Sequence, residues 1–223
     1  MLSKLIDKFK EIELLQGIFD TLYMVIVSAT IAYIIGILLG LILVISDKDG
    51  IKPSKLINTI LGLFINLGRS IPFIVLMVFL IPLTELIVGK SWGATAAIVP
   101  LTIGAIPFVA RLAETHFKEV DKGLIESAKC LGASNYRIAK TVYLSETLPS
   151  LVRTYAVTII TLIGYSAMAG AIGAGGLGDI AIKWGYRRYD ELAMIISIVV
   201  IILIVQLMQI TFDVIAKKVD KAR

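Results

Sequence analysis

Four long apolar runs without a single charge constrain the fold of this chain more than any other feature. They are Thr21–Ser46, Ser91–Ala110, Thr154–Gly178 and Leu192–Phe212, and none contains Asp, Glu, Lys, Arg or His. A helix needs about 20 apolar residues to cross the hydrocarbon layer of a bilayer. Backbone polar groups in lipid must pair within their own segment, and the runs lack the two-residue alternation of membrane β-strands. We therefore predict an all-α, polytopic membrane protein.

A fifth span is predicted around an interruption. Leu56–Gly68 is apolar but short, and Arg69 follows it. Because an arginine at the bilayer centre costs several kcal/mol, we place Arg69 at the headgroups. The second span is then Ser70–Val88, with Pro72 in its first helical turn. Leu56–Leu67 is predicted to be an interfacial or re-entrant segment.

Composition and charge agree with a membrane protein. Hydrophobic residues make up 57% and charged residues 17% of the chain, against about 25% charged residues in soluble domains. Fifteen of the 22 Lys and Arg residues fall in the loops after spans one and three and in the C-terminal tail. Positive charge marks the cytoplasmic side, so we expect the N-terminus outside and the C-terminus inside. The net charge of +5 then reflects membrane orientation, and no nucleic-acid partner is predicted.

We predict one transmembrane domain, 1–223, which begins with an amphipathic segment at 1–16. Leu2, Leu5, Ile6, Phe9 and Ile12 share one helical face, which predicts a helix on the outer surface of the membrane. Charges continue to Glu13 and no small-residue cleavage site follows, so we do not expect this segment to be a cleavable signal. The single cysteine, Cys130, is expected to be a reduced cytoplasmic thiol.

Glycines and prolines mark further positions. Gly36 and Gly40 have the small-xxx-small spacing of close helix packing, within the chain or across a dimer. Span three contains Pro100 and Pro107, so we expect it to be kinked or locally unwound, either lining a pathway or packed. A flexible outer segment is predicted at the end of span four, with Gly173, Gly175, Gly176 and Gly178.

No catalytic, cofactor-binding or metal-binding residue is predicted. The Gly173–Gly178 run matches G-x-G-x-x-G, but that fingerprint requires a preceding strand, whereas this run ends a membrane span. The one histidine, His116, has no second ligand or nucleophile placed with it. We therefore expect that the chain is not itself an enzyme.

The segment 114–153 reads like part of a soluble protein between two lipid-embedded spans. Leu124, Ala128 and Leu131 fall on one helical face, and Gly132 is predicted to end that helix. Ser134 is placed to cap a second helix that starts at Asn135. We predict a short helix that lies across the cytoplasmic face and is available to a partner protein.

Two motifs in this segment resemble a known signature. E-S-A-x3-G at Glu126–Gly132 and L-S-E-T-L-P from Leu144 resemble the coupling loop of ABC importer permeases, usually E-A-A-x3-G with a downstream L-P. Ser127 replaces the first alanine of that motif, and Ser145 stands where a proline often follows the leucine. Both changes are small and should preserve the helix and its turn.

Three further segments narrow the resemblance. R-S-I-P-F-I from Arg69, A-A-I-V-P-L-T-I-G-A-I-P-F-V-A-R-L-A-E from Ala96 and G-Y-S-A-M-A-G-A-I-G-A-G-G-L-G from Gly164 are similar to the permease subunit of methionine ABC importers. The resemblance implies a homodimer in a prokaryotic inner membrane, two ATPase subunits that bind ATP and Mg, and an extracytoplasmic substrate-binding protein. The coupling residues that it implies are Glu126, Ser127, Ala128, Leu131, Gly132 and Ala133.

Met168 is our hypothesis for a gate. It is a flexible thioether between Ala167 and Ala169, so two copies could meet on a dimer axis; an ordinary packed methionine is the alternative. Ser166, Pro100 and Pro107 are further pathway candidates.

The sequence is also compatible with other functions. The chain could be the permease for another small amino acid or related solute. An ion-coupled secondary transporter is less favoured, because five spans do not divide into two halves and no acidic residue lies in mid-span. A membrane scaffold without transport activity is the third alternative.

Overall fold

The computed structural model describes residues 8–221, and these residues are predominantly helical. The helices are α1 (Leu14–Ser46), α2 (Lys55–Ser70), α3 (Phe73–Phe79), α4 (Ile81–Val88), α5 (Ala94–Lys118), α6 (Lys122–Cys130), α7 (Asn135–Ile138), α8 (Leu144–Ala171), α9 (Gly176–Ile180) and α10 (Glu191–Lys221). One π-helical segment, Ala139–Tyr143, joins α7 to α8, and another, Ala181–Tyr186, extends α9. No β-strand occurs in residues 8–221, and the all-α prediction is confirmed.

Several helices are long and apolar enough to cross a membrane. By length and composition, four described segments qualify: α1, α5, the continuous helix Asn135–Ala171, and Glu191–Asp220 within α10. A fifth span results if α2 and α3, which meet at 103°, are counted as one broken span. This count agrees with the predicted polytopic membrane protein.

The predicted second span is wrong in its start and in its continuity. Ser70 is the last residue of α2, and Ile71 is extended with φ −86° and ψ 123°. The cause is Pro72, because the residue before a proline is disfavoured in the helical region. Pro72 itself is the N-cap of α3 rather than a residue in its first turn. The helix breaks again at Leu80, and α4 restarts with Pro82 in its first turn.

The predicted fourth span is wrong at its C-terminal end. It was expected to continue to Gly178, but α8 ends at Ala171. Gly173 and Gly175 have φ values of +95° and +79°, a left-handed conformation that glycine adopts without steric cost. The chain turns there, and α9 begins at Gly176.

The predicted unwinding of span three does not occur. α5 is α-helical through both Pro100 and Pro107, and both prolines are buried. Pro107 packs against α2, where a Cβ atom on Gly68 would lie 2.6 Å from the Pro107 Cγ. The absence of a side chain at Gly68 therefore makes room for the proline ring.

Ile12 of the N-terminal segment packs against other parts of the protein. Residues 8–11 are helical, and Glu13 has φ +52°. Leu2, Leu5 and Ile6 of the predicted amphipathic face lie outside the described residues. Ile12 is 1% exposed and belongs to a buried cluster with Leu177 and Ile180. At Ile12, this face therefore contacts the protein interior rather than lipid.

The described chain forms two compact units. The first comprises the described residues up to Ile31, Pro72–Gly104 and Ile159–Ile210, and the second comprises Ala32–Ile71, Ala105–Thr158 and the described residues from Thr211 onward. The buried cluster around Leu177 lies in the first unit. A larger cluster in the second unit includes Phe117 and Tyr143, whose rings meet edge to face at 6.1 Å.

Within the second unit, α1 approaches α5 closely through two glycines. A Cβ atom on Gly36 would lie 2.6 Å from the Val109 Cβ, and one on Gly40 would lie 2.7 Å from the Ala110 carbonyl oxygen. The predicted close approach at Gly36 and Gly40 is confirmed, and its partner is α5 of the same chain.

Candidate functional site

The predicted surface helix exists as α6, and both of its ends are capped. The Asp121 carboxylate accepts from the Gly123 backbone N–H at 2.6 Å. At the other end, Gly132 has φ +78°. The Gly132 N–H donates to the Lys129 carbonyl at 2.9 Å, and the Ala133 N–H donates to the Ala128 carbonyl at 3.0 Å. This pair of bonds is a Schellman motif, so the predicted helix end at Gly132 is confirmed.

The second predicted cap is also present. Ser134 is the N-cap of α7, and its hydroxyl oxygen accepts from the Arg137 N–H at 3.3 Å. Since α7 continues through the π-helical segment into α8, the chain passes from this cap directly into a long apolar helix. Each of the two helices α6 and α7 therefore begins with a side-chain cap, and the Schellman motif lies between them.

The face that α6 turns inward differs from the predicted one. Ile125 and Ala128 pack, partly buried, against the core of the second unit, and Ala133 joins them. Leu124 is 47% exposed and Leu131 is 87% exposed. The prediction that Leu124, Ala128 and Leu131 share one buried face is therefore wrong, because only Ala128 packs inward. Leu131 is the C-cap residue of α6, so the helical spacing no longer governs its direction.

The outward surface of α6 and α7 combines apolar and charged side chains. Leu131 and Tyr136 are the most exposed apolar side chains there, the latter at 76%. Glu126 and Ser127 are exposed, and Glu126 forms no ion pair with any described residue. The other exposed charges on this surface are Asp121, Lys122, Lys129, Arg137 and Lys140. Such a surface suits a partner that offers an apolar groove with acidic residues around it.

A charge network below this surface was not predicted. Glu114 is 5% exposed and binds Arg111 at 2.5 Å and Lys118 at 2.9 Å. Lys118 also binds Asp47 at 3.0 Å, and Arg111 donates to the Asn66 side-chain oxygen at 2.5 Å. The Lys118 ammonium, as the main cause, holds the pKa of the Asp47 carboxyl below its usual value.

Part of this network has a signal in the sequence. Arg111, Glu114 and Lys118 have the i, i+3 and i, i+4 spacing of side chains that meet on a helix. Asp47 and Asn66 are distant in sequence, so nothing in the sequence pairs them with α5. The network ties the loop after α1 and the helix α2 to the end of α5 that leads into α6.

The pathway candidates lie in different environments. Met168 is 46% exposed, whereas Ser166 is 2% exposed and donates to the Ile163 carbonyl at 2.7 Å. Pro100 and Pro107 are buried. Met168 is thus the one member of this set whose side chain a second protein or a solute could touch.

The glycine segment after α8 is packed more tightly than predicted. Gly176 and Gly178 are buried. A Cβ atom on Gly178 would lie 2.4 Å from the Ala167 Cα, and one on Gly170 would lie 2.4 Å from the Asp179 backbone nitrogen. These glycines therefore allow the backbones of α9 and of the end of α8 to approach each other inside the chain. Gly173 and Gly175 remain at the turn itself.

Residues 8–221 hold no group of three His, Cys, Asp or Glu side chains that could bind a metal ion. His116 contacts Thr154, with its Nε2 3.0 Å from the Thr154 Oγ1.

Comparison with known proteins places these features in a family. The family described as "Binding-protein-dependent transport system inner membrane component" matches residues 32–222. The "Probable D-methionine transport system permease protein MetI" of Vibrio cholerae is 48% identical, over 93% of this chain and 92% of that protein. The "Methionine import system permease protein MetP" of Bacillus subtilis is 39% identical, over 94% of each chain.

Solved structures agree with this assignment. A chain of the MetNI methionine ABC transporter, solved in inward-facing conformations, is 42% identical and superposes with a TM-score of 0.91, covering 92% of this chain and 95% of that chain. A chain of an amino acid ABC transporter crystallised with histidines is 21% identical with a TM-score of 0.72, and shares the fold. The chain therefore belongs to the family of binding-protein-dependent transport system inner membrane components.

Proposed function

We propose that this chain is the membrane-spanning subunit of an ATP-driven importer of methionine. The observation that carries the proposal is the capped surface helix α6, with Glu126–Gly132, on an all-helical membrane chain. Relatives that match over nearly the whole length carry methionine-permease names. Two copies would form the translocation pathway. Two ATPase subunits would bind ATP and Mg, and an extracytoplasmic binding protein would deliver methionine.

The packing of α6 supports its role as the contact to the ATPase. Leu131 and Tyr136 face outward, where they would enter the surface of the partner. Ile125 and Ala128 hold the other side of α6 against the cluster that contains Phe117. A force on the outward face would therefore reach the core of the second unit directly. Coupling also requires that the ATPase bind this face differently in its two states.

The exposed face of α8 supports a position beside the second copy. Its exposed residues include Val157, Gly164 and Met168. By contrast, α1 exposes large side chains such as Phe19 and Leu38, as lipid-facing helices do. Gly164 has no side chain, which allows a second helix to approach this face closely. Met168 would project from this face, so the Met168 side chains of two copies would close the pathway between them.

Orientation in the membrane can be tested with the native cysteine. Cys130 is the only cysteine of the chain and is exposed at the end of α6. On the proposed topology, a membrane-impermeant maleimide labels Cys130 in inside-out vesicles but not in intact spheroplasts. The matched control is Tyr189→Cys in a Cys130→Ser background, because Tyr189 is 87% exposed in the loop before α10. It should show the opposite pattern, and labelling of Cys130 from outside would refute the topology.

Uptake in proteoliposomes tests the function itself. The chain would be reconstituted with its ATPase, and labelled methionine and the binding protein would be placed on the outer side. We expect accumulation that requires ATP hydrolysis and that unlabelled methionine, but not unrelated amino acids, reduces. An ATPase variant unable to hydrolyse ATP is the control. Uptake driven by an ion gradient without ATPase would favour a secondary transporter, and accumulation of a different amino acid would redirect the substrate assignment.

A further inference from the structure

Glu114 is a buried carboxylate that two cations of α5 share. Its residue is 5% exposed, and its two oxygens bind Arg111 and Lys118, one helical turn away on either side. Each cation has a further partner in another segment. Lys118 binds Asp47 in the loop after α1. Arg111 donates to Asn66 on α2, so Glu114 stands at the centre of a series of bonds from α2 through α5 to the loop after α1.

The charge of Glu114 holds this series of bonds together. Arg111 and Lys118 contribute two positive charges, and Glu114 and Asp47 contribute two negative charges, so the four side chains balance one another. Without the Glu114 charge, both cations would face a buried position that offers them no anion. A buried charge that has lost its partner is strongly unfavourable. Both outer contacts, to Asp47 and to Asn66, therefore depend on the central carboxylate.

A cavity separates the beginning of α6 from the loop after α1. It has a volume of about 330 Å³, and its lining includes Asp47 and Asp49 of that loop, Lys118 at the end of α5, and Lys122 and Ile125 of α6. Because the loop and α6 face each other across this space, the Lys118–Asp47 ion pair at its wall links the loop to the part of the chain that leads into α6.

The last turn of α5 continues into α6 with a short connection. Lys118 is the last residue of α5, and Asp121, three residues later, is the N-cap of α6. Between them the chain turns tightly, since the Val120 N–H donates to the Phe117 carbonyl at 3.4 Å. The direction of the last turn of α5 therefore determines where α6 begins.

We propose that Glu114 is a positioning residue for coupling. Through Arg111 and Lys118 it fixes the end of α5, and with it the beginning of α6, relative to α2 and to the loop after α1. A movement of α6 is then transmitted to those segments instead of being absorbed in the α5–α6 connection. The consequence for transport rests on the proposed function. A network that only added stability would change the amount of folded transporter, but not the methionine transported per ATP.

A spin label on the native cysteine tests the position of α6 without a transport assay. Cys130 is the last residue of α6 and the only cysteine of the chain, so the label reports on α6 in the full-length chain in liposomes. Glu114→Gln keeps the size of the side chain and removes its charge, and we expect a more mobile component in the spectrum. Adding Asn66→Asp supplies Arg111 with a carboxylate again and should reduce that component. A Glu114→Gln spectrum identical to that of wild type, or no recovery with Asn66→Asp, would overturn the proposal.

Coupling in the assembled transporter tests the consequence. Methionine transported per ATP hydrolysed would be measured in proteoliposomes, because this ratio does not depend on how much of the protein has folded. We expect Glu114→Gln to lower the ratio about tenfold, the scale of one lost charge-assisted bond, and the addition of Asn66→Asp to restore part of it. Asp47→Asn removes only the outer link, at a side chain that is 30% exposed, and should lower the ratio less. It decides the question if Glu114→Gln does not assemble, since an unchanged ratio in Asp47→Asn would contradict the proposal.

The control is Asp220→Asn, which removes a carboxylate from the exposed ion pair of Arg153 and Asp220 in the same unit. Exposed ion pairs contribute little, so this variant should keep the wild-type ratio. If Glu114→Gln lowers the melting temperature but leaves the ratio at the wild-type value, the network is merely structural and the positioning role is refuted. If wild type shows no ATP-dependent uptake, the proposed function fails, whereas the spin-label spectra still decide whether Glu114 holds α6 in place.

Discussion

Replacing Gly132 by alanine measures the free-energy cost of placing a non-glycine residue in the left-handed conformation that ends α6. Gly132 has φ +78°, and no atom lies within 4 Å of the position that a Cβ would take. The substitution therefore adds no clash, only the cost of holding an L-residue in the left-handed region, about 1–2 kcal/mol. That energy lowers the population of the capped helix end by a factor of about 5–30. Because Ala128 and Ala133, on either side of this end, both pack against the core of the second unit, the outward direction of Leu131 should be lost with it.

The assay compares ATPase binding and coupled transport across a graded series. Asparagine tolerates the left-handed region better than alanine does, so the expected order of activity is glycine, asparagine, alanine, valine. Gly62→Ala is the matched control, because Gly62 lies within α2 with equally open surroundings and alanine favours a helix by about 1 kcal/mol. The reasoning would be refuted if Gly132→Ala bound the ATPase and transported like wild type, or if Gly62→Ala were equally impaired.

Three further outcomes are expected. Gly178→Ala would place a Cβ 2.4 Å from the Ala167 Cα, so it should lower the stability of the fold by about 1–3 kcal/mol. The expected measurement is a lower melting temperature in detergent, and an unchanged melting temperature would contradict the packing. Met168→Ala should leave the melting temperature unchanged, since the side chain is 46% exposed, but should increase methionine leak and uncoupled ATPase activity; an unaltered leak would exclude the gate. Asp190→Asn should make the stability of the protein depend less on pH in acid, because the Lys8 ammonium lowers the pKa of the Asp190 carboxyl. The ion pair therefore stabilises the fold above about pH 4, and its contribution, at most about 1 kcal/mol, is lost as the pH falls through the lowered pKa. If stability falls identically in acid for the variant and the wild type, the pair adds nothing.

The helices and the caps at Gly132 and Ser134 could be predicted because their causes are local. The backbone N–H and C=O groups of a long charge-free run can be paired within the segment in lipid only if the run is helical. Gly132 and Ser134 cap helices through residues close to them in sequence. The errors in the spans are local as well. Pro72 excludes Ile71 from the helix, and the glycines after Ala171 turn the chain, although no charge marks either position.

The interactions below the site could not be predicted, because they join distant parts of the chain. Asp47 meets Lys118, and Asn66 meets Arg111, only after α1, α2 and α5 have packed. The sequence also could not predict which face of α6 is turned inward. In a helix of nine residues, Ile125 and Leu124 are neighbouring choices for burial, and the surface that decides between them comes from other helices.

The glycines of α1 have a consequence for how copies of this chain can associate. A small-xxx-small pair in a membrane helix is often assumed to be a dimer contact, yet Gly36 and Gly40 are covered by Val109 and Ala110 of their own chain. That groove is not available to another subunit. Probes attached along it would report distances inside one molecule, so cross-linking designed to trap a pair of subunits has to start from a different helix.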